Sequence, residues 1–343
     1  MKKILVVLIA CLAVGFANAQ ETEKSDLNKV VNTLKERIKL MGYAQVGYTY
    51  DDSADADNNF DVKRVIFMAE GKITDKWLVY FMYNFNSGGT LLEMYTEYEL
   101  LPGLSARLGQ FALPFTIENP LSTSVVELID CYSQGVSYLA SIGNQDPLVG
   151  STTGRDLGFM LHGKLLNNLL SYNLAAFNGQ GINKKDRNNN KDIVGSLMVY
   201  PLQWLSVGGS FIKGKGNAVA LSDINPGIAI GDNYTRDRWA AGVVLNTKPL
   251  SLRSEYLGGK DGKVKSEGYY ATASYHLLPK FDIIASYDYF NKNKDMDYEQ
   301  TNYVVGVQYW FYPRCRVQAQ YTYKDNKIEG ASNVFQAQVQ VRF

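Results

Sequence analysis

The chain has 343 residues, 35 basic and 34 acidic, with a formal charge of +1 and 46% hydrophobic side chains. Near-neutrality gives no global attraction to nucleic acid, and three cysteines are too few for a disulfide framework. The 24 Tyr and 15 Phe are nevertheless many for this length.

Lys2 and Lys3, an apolar run from Ile4 to Ala17, and Ala17-Asn18-Ala19 read as a secretory signal peptide over residues 1–19. The apolar run is too short to span a membrane as a helix. Leu8-Ile9-Ala10-Cys11 resembles a lipobox, but it lies early and more apolar residues follow, so cleavage after Ala19 is preferred. Cys131 and Cys315 remain after cleavage, one mid-loop and one beside a short turn, and are not expected to pair. Residues 20–40 form the next segment, expected to be periplasmic, helical and amphipathic. Leu27, Val31, Leu34 and Ile38 share a helical stripe and Ser25 is a candidate N-cap. The stripe suits a helix resting on the protein or a short coiled coil between protomers.

From Met41 to Phe343 no stretch approaches the length of a membrane helix. Instead, sixteen segments alternate or carry strand composition: 41–50, 61–72, 77–86, 91–100, 104–112, 156–165, 169–177, 191–200, 204–213, 237–246, 250–258, 267–276, 280–290, 301–311, 314–323 and 333–343. Short connectors such as Leu101-Pro102-Gly103 and Leu166-Asn167-Asn168 alternate with long ones, mostly rich in Asp, Asn, Lys and Gly. That is the layout of an outer-membrane barrel. In the last segment Phe335, Ala337, Val339, Val341 and Phe343 share one face, and Gln336, Gln338, Gln340 and Arg342 the other. A soluble sandwich also alternates; the aromatic content of the apolar faces, as in Trp77, Phe81, Tyr83 and Phe85, favours a lipid boundary. The fold class expected is all-β: a 16-stranded antiparallel transmembrane β-barrel with an inward-folded third extracellular loop.

That loop is residues 113–155, a long stretch without alternation. Structureless loops of this length are uncommon in compact domains and usually functional or disordered. Folded inward, it becomes a constriction offering Pro114, Phe115, Glu118, Glu127 and Asp130. Strand parity places Arg64, Glu93, Glu97, Arg107, Asp156, Arg238 and Arg253 on the pore wall, and Arg155, at the end of the loop, is expected beside them, so the lumen is polar and carries both signs. Basic wall residues facing loop carboxylates across the pore would set up a transverse field.

RLGQFALPFTIE at 107–118 and GRDLGFMLHG at 154–163 resemble the phosphate-selective porin O and P family. The resemblance implies a sixteen-stranded channel, usually trimeric, with its third loop folded inward. It carries over to Arg107, Gln110, Phe111, Pro114, Phe115, Glu118, Arg155, Asp156 and Gly158. Members that select phosphate line the pore with many Arg and Lys. The loop here has acidic Glu118, Glu127 and Asp130 and no basic residue before Arg155, a departure from that pattern. Phe343, terminal on an alternating strand, looks like the signal read by outer-membrane assembly machinery.

No catalytic or metal constellation stands out. His162 and His276 lie on strands without ligands at metal spacing. Asp51, Asp52, Asp55, Asp57 and Asp61 form an acidic first loop without the glycine and glutamate of a calcium-binding loop. The function expected is a non-enzymatic, cofactor-free porin of the bacterial outer membrane, for passive diffusion of small hydrophilic solutes or ions, phosphate or other anions among them. Its partners would be outer-membrane lipid, the assembly machinery, two further copies in a homotrimer, and no nucleic acid. The alternative is an adhesin or structural surface protein with a closed lumen.

Overall fold

The structure, a computed structural model, describes residues 35–53, 57–86, 88–150 and 152–343. The expected signal peptide, Asp55 and most of the expected 20–40 helix lie outside them. Sixteen strands of the described residues close into one barrel, each antiparallel to its sequence neighbours. In chain order these are β1 (Ile38–Asp51), β2 (Asp57–Lys72), β3 (Trp77–Asn84), β4 (Thr90–Leu101) and β5 (Leu104–Ala112). After the long loop come β6 (Arg155–Leu165), β7 (Leu170–Phe177), β8 (Asp192–Leu202), β9 (Leu205–Asn217), β10 (Asn233–Asn246) and β11 (Leu250–Asp261). β12 (Val264–Leu278), β13 (Phe281–Asn291), β14 (Glu299–Tyr312), β15 (Cys315–Asn326) and β16 (Gly330–Arg342) complete the wall. β16 closes on β1 from Tyr43 opposite Arg342 to Asp51 opposite Val334. Closure leaves no sheet edge with unpaired backbone groups, which hydrocarbon could not satisfy.

The surface is inverted relative to a soluble sandwich, and this settles what alternation alone left open. Along β16, Phe335, Val339 and Val341 are exposed, whereas Gln336, Gln338 and Gln340 are buried. A lipid solvent outside and a polar interior explain that arrangement; water outside does not. Aromatic rings gather in belts on the outer face. Tyr269 packs 5.7 Å from Tyr287, which packs 5.3 Å from Tyr303 on the next strand. Toward the short-turn end Trp77 lies 6.4 Å from Tyr98 and donates its indole N–H to Thr96. Amphipathic rings at two levels mark the interfaces of a bilayer.

The barrel departs from expectation at its ends. Ile38, Lys39 and Leu40 pair with Gly71, Glu70 and Ala69, so the tail of the expected 20–40 helix is strand. A long β2 offers that segment a ladder, and a few turns of amphipathic period do not compete with it. On the long-loop side β9 runs to Asn217, and β11 and β12 meet through Gly262 and Lys263 alone. Beyond the lipid both faces of a strand are wet, so the two-residue period fades while the hydrogen-bond ladder continues. A bulge between Gln45/Arg64 and Val46/Val62 shifts the parity, so that Arg64 faces inward with Ile66 and Met68 while Val62 faces out.

Candidate functional site: the lumen and its inserted loop

The loop 113–154 begins and ends in one place. Leu113 N–H donates to Gly154 O at 3.0 Å, and the Asn119 amide donates to both Leu113 O (2.9 Å) and Gly154 O (3.0 Å). Gly154 has φ 69°, and a Cβ there would stand 2.0 Å from Asn119 Oδ1, so the junction requires glycine. The glycines of the two flanking motifs face each other, Gly109 opposite Gly158. A Cβ on Gly158 would strike the Phe177 ring at 2.5 Å; without one, Phe177 packs 5.0 Å from Phe111 beneath the loop.

From its root the loop follows the inner wall. Glu118 is fully buried: Arg253 donates to its Oε1 at 3.0 Å and Ser133 N–H to its Oε2 at 2.7 Å. Burial pushes the Glu118 carboxyl above its usual range, with Arg253 pulling the other way. Arg253 also donates to Glu127 at 2.8 Å and so clamps two loop carboxylates. Residues 123–130 then run along a row of inward glutamines. Gln45 holds Thr123 O, Gln340 holds Ser124 O, Gln318 holds Glu127 O, Gln320 accepts from Ile129 N–H and Gln336 holds Asp130. Arg316 donates to Val126 O at 2.7 Å.

A short helix, α1 (Gln134–Leu139), follows, with Ser133 as its N-cap. Asp288 accepts from Gln134 N–H, and Arg238 donates to Leu139 O (2.6 Å), Asp146 (2.6 Å) and Asp261 (2.8 Å). Gly135 lets α1 lie flush on the wall, since a Cβ would meet Leu257 at 2.3 Å. Val136, Tyr138 and Leu139 pack against Leu257, Tyr270 and Phe290, giving the barrel a dry core between loop and wall. A two-residue ladder, Ile142–Gly143 with Thr152–Thr153, brings the chain back to its root.

Among the described residues, three chambers of more than 500 Å³ flank the loop. On the long-loop side lies a polar chamber of about 880 Å³ lined by Arg64, Asp130, Tyr132, Gln300, Asn302 and Lys324 among others. Burial pushes the Tyr132 hydroxyl up to about 12. On the short-turn side are a chamber of about 600 Å³ beneath Pro114, Pro120 and Leu121 and another of about 550 Å³ beneath Ser124 and Glu127. Tyr43, bonded to the Thr123 hydroxyl at 2.7 Å, and Ile66 lie between the 880 and 600 Å³ chambers.

The expected site residues separate into two groups. Arg64, Glu93, Arg107 and Arg155 line open chambers, with Pro114 on the loop side and Glu97 paired behind Arg107. Arg155 pairs with Glu93 at 2.8 Å and Arg107 with Glu97 at 2.6 Å, while Arg64 bonds to neutral Gln45 at 2.9 Å. By contrast Arg238, Arg253 and Asp156 are buried, as are Phe115 and Glu118. Asp156 accepts from the amides of Leu157 and Gln180. The expected field across water between Arg253 and the loop carboxylates is therefore a direct contact. Glu127 borders the lower chamber and Asp130 the upper one. Gln110 reaches neither and holds Asn183 of the β7–β8 loop. Phe343 extends the seam, bonding Gly42 through its backbone in both directions, with its ring exposed. Cys131 and Cys315 are free and buried.

The glutamine row and the dry core had not been foreseen. Gln318/Gln320 and Gln336/Gln338/Gln340, at two-residue spacing on adjacent strands, were the available signal.

The model of the family described as phosphate-selective porin O and P matches residues 38–343. No curated protein matches. Among solved structures, the anion-selective porin from Comamonas acidovorans is similar with a TM-score of 0.67 at 14% identity, covering 89% of this chain and 99% of that one. The in-vitro folded OmpT of Vibrio cholerae, in a trimer form, gives 0.64 at 13% identity, covering 89% and 99%. OprB of Pseudomonas putida gives 0.65 at 11% identity, covering 91% and 96%. At such identities these likenesses speak for the fold, and the family match over nearly all of the barrel speaks for descent. The chain belongs to the phosphate-selective porin O and P family and is built as an outer-membrane channel.

Proposed function

We propose that the protein is a passive porin through which small hydrophilic solutes cross the outer membrane. The observation that carries this reading is a barrel with apolar faces outside, polar faces inside, and an inner loop that divides the lumen into open chambers without filling it. Solutes enter the 880 Å³ chamber from the long-loop side and leave through the 600 Å³ chamber. Arg64 and Tyr132 line the first of these chambers and Arg155 the second. No reacting group or cofactor is required.

Anion preference rests on few groups. Arg238 and Arg253 are committed to Asp146, Asp261, Glu118 and Glu127, and Arg107 and Arg155 to wall carboxylates. Arg64 lines the outer chamber without a carboxylate within ion-pair distance among the described residues. The reading is therefore a general solute channel with a weak anion preference set by Arg64, assembled as a homotrimer and delivered by machinery that reads Phe343. Planar-bilayer recording tests it: discrete conductance steps are expected, and their absence sinks the porin reading. Phosphate added to a chloride gradient should leave the chloride current unblocked at low concentration. Block there would show a dedicated phosphate site.

A further inference from the structure

We infer that the solutes this channel favours are neutral hydroxylated rings, the chemistry of a mono- or disaccharide. The inference rests on the porin reading and names its solute class.

The 600 Å³ chamber has two unlike walls. On one side stand Met68, Tyr80, Met82, Tyr95 and Met160. Tyr80 and Tyr95 are stacked at 5.1 Å with 25° between their planes, and the Arg107 guanidinium lies 4.1 Å from the Tyr95 ring centre. Both faces of the Tyr95 ring are thereby covered, and the ring edges with the methionines form an apolar ledge along the wall. On the other side Ser171, Asn173, Ser196, Ser206 and Ser210 stand among Met198 and Tyr200. A sugar ring has an apolar C–H face and a rim of hydroxyls, so the ledge suits the face and the serine side suits the rim. Aromatic rings provide such contacts at little conformational cost.

Charge separates this solute from an anion. The cations of the chamber already have partners, Arg107 with Glu97 and Arg155 with Glu93, at 2.6 and 2.8 Å. A phosphate or carboxylate would have to displace a carboxylate from a charge-assisted bond, whereas a neutral hydroxyl adds to the pair's unused lone pairs and N–H groups. In the outer chamber neutral Gln300, Asn302, Gln320 and Thr322 stand beside Arg64, Asp130 and Lys324, so discrimination against charge falls to the 600 Å³ chamber. Both volumes fall within the roughly 300–1,000 Å³ of small-molecule sites.

The test uses the full chain in planar bilayers. Conductance in KCl comes first, and its absence speaks against the porin reading instead. Maltose or sucrose should then interrupt the current in a concentration-dependent way in the millimolar range. Tyr80→Ala and Tyr95→Ala should weaken the block about tenfold, about 1.4 kcal/mol, whereas Tyr95→Phe should retain it. Block by benzoate or phosphate at lower concentration than by either sugar overturns the proposal, as does the absence of sugar block. Liposome swelling by the unaltered chain gives a reading independent of variant assembly. Glucose should enter faster than gluconate, which has a similar size and a charge, and the reverse order overturns the proposal.

Discussion

Two arcs of the same wall use similar residues for opposite ends. The arc from β10 through β16 to β1 directs its inward side chains at the loop: Arg238, Arg253 and Arg316, Asp288 and the glutamine row all bond to residues between 113 and 154. The arc from β2 to β6 directs its charges at itself, Arg107 to Glu97 and Arg155 to Glu93, and leaves a chamber beside them. An inward arginine is thus not by itself a pore residue. Arg253, whose partners belong to the loop, fastens the plug, and Arg107, whose partner belongs to the next strand, lines a chamber.

Deleting Ser122 to Gly150 should break the comparison most completely. The loop root survives, the fastening arc loses its load, and conductance should rise severalfold; unchanged conductance would place the loop outside the path. Next, Arg253→Ala leaves Glu118 and Glu127 without their cation. Breaking a buried pair in this way costs about 3–5 kcal/mol. The expected result is chymotryptic cleavage at Tyr138, which is 1% exposed in the intact protein, with added current noise and a barrel that still assembles. Gln320→Ala removes one bond to Ile129 N–H, about 1 kcal/mol, and should add noise alone. On the open arc, Arg64→Gln should leave stability within about 0.5 kcal/mol while moving the reversal potential in a KCl gradient toward cations. A larger loss of stability than that from Gln320→Ala would show that Arg64 fastens rather than lines.

The barrel was legible in the sequence because lipid and water on opposite faces impose the two-residue period directly on the residues. β16 shows this most clearly, with Phe335, Val339 and Val341 outside and Gln336, Gln338 and Gln340 inside. The period failed at the rims, where β9, β11 and β12 run on into water, and at Ile38–Leu40, where a helical stripe reads as strand. Within the lumen, parity gave each side chain a face and no partner. Arg253 and Arg107 look alike along the chain; only the course of the loop separates them. α1 escaped notice because six residues carry too little period, and its burial depends on the absence of a side chain at Gly135.

The junction at Leu113, Asn119 and Gly154 has a consequence for how such a protein changes over time. Because both ends of the loop are tied to each other before either meets the far wall, the segment between them behaves as a cassette. Its length can change while the β5–β6 ladder keeps its register, so long as the carboxylates that meet Arg238 and Arg253 stay in place. One scaffold can then be given a wider or narrower lumen by altering a single stretch of chain.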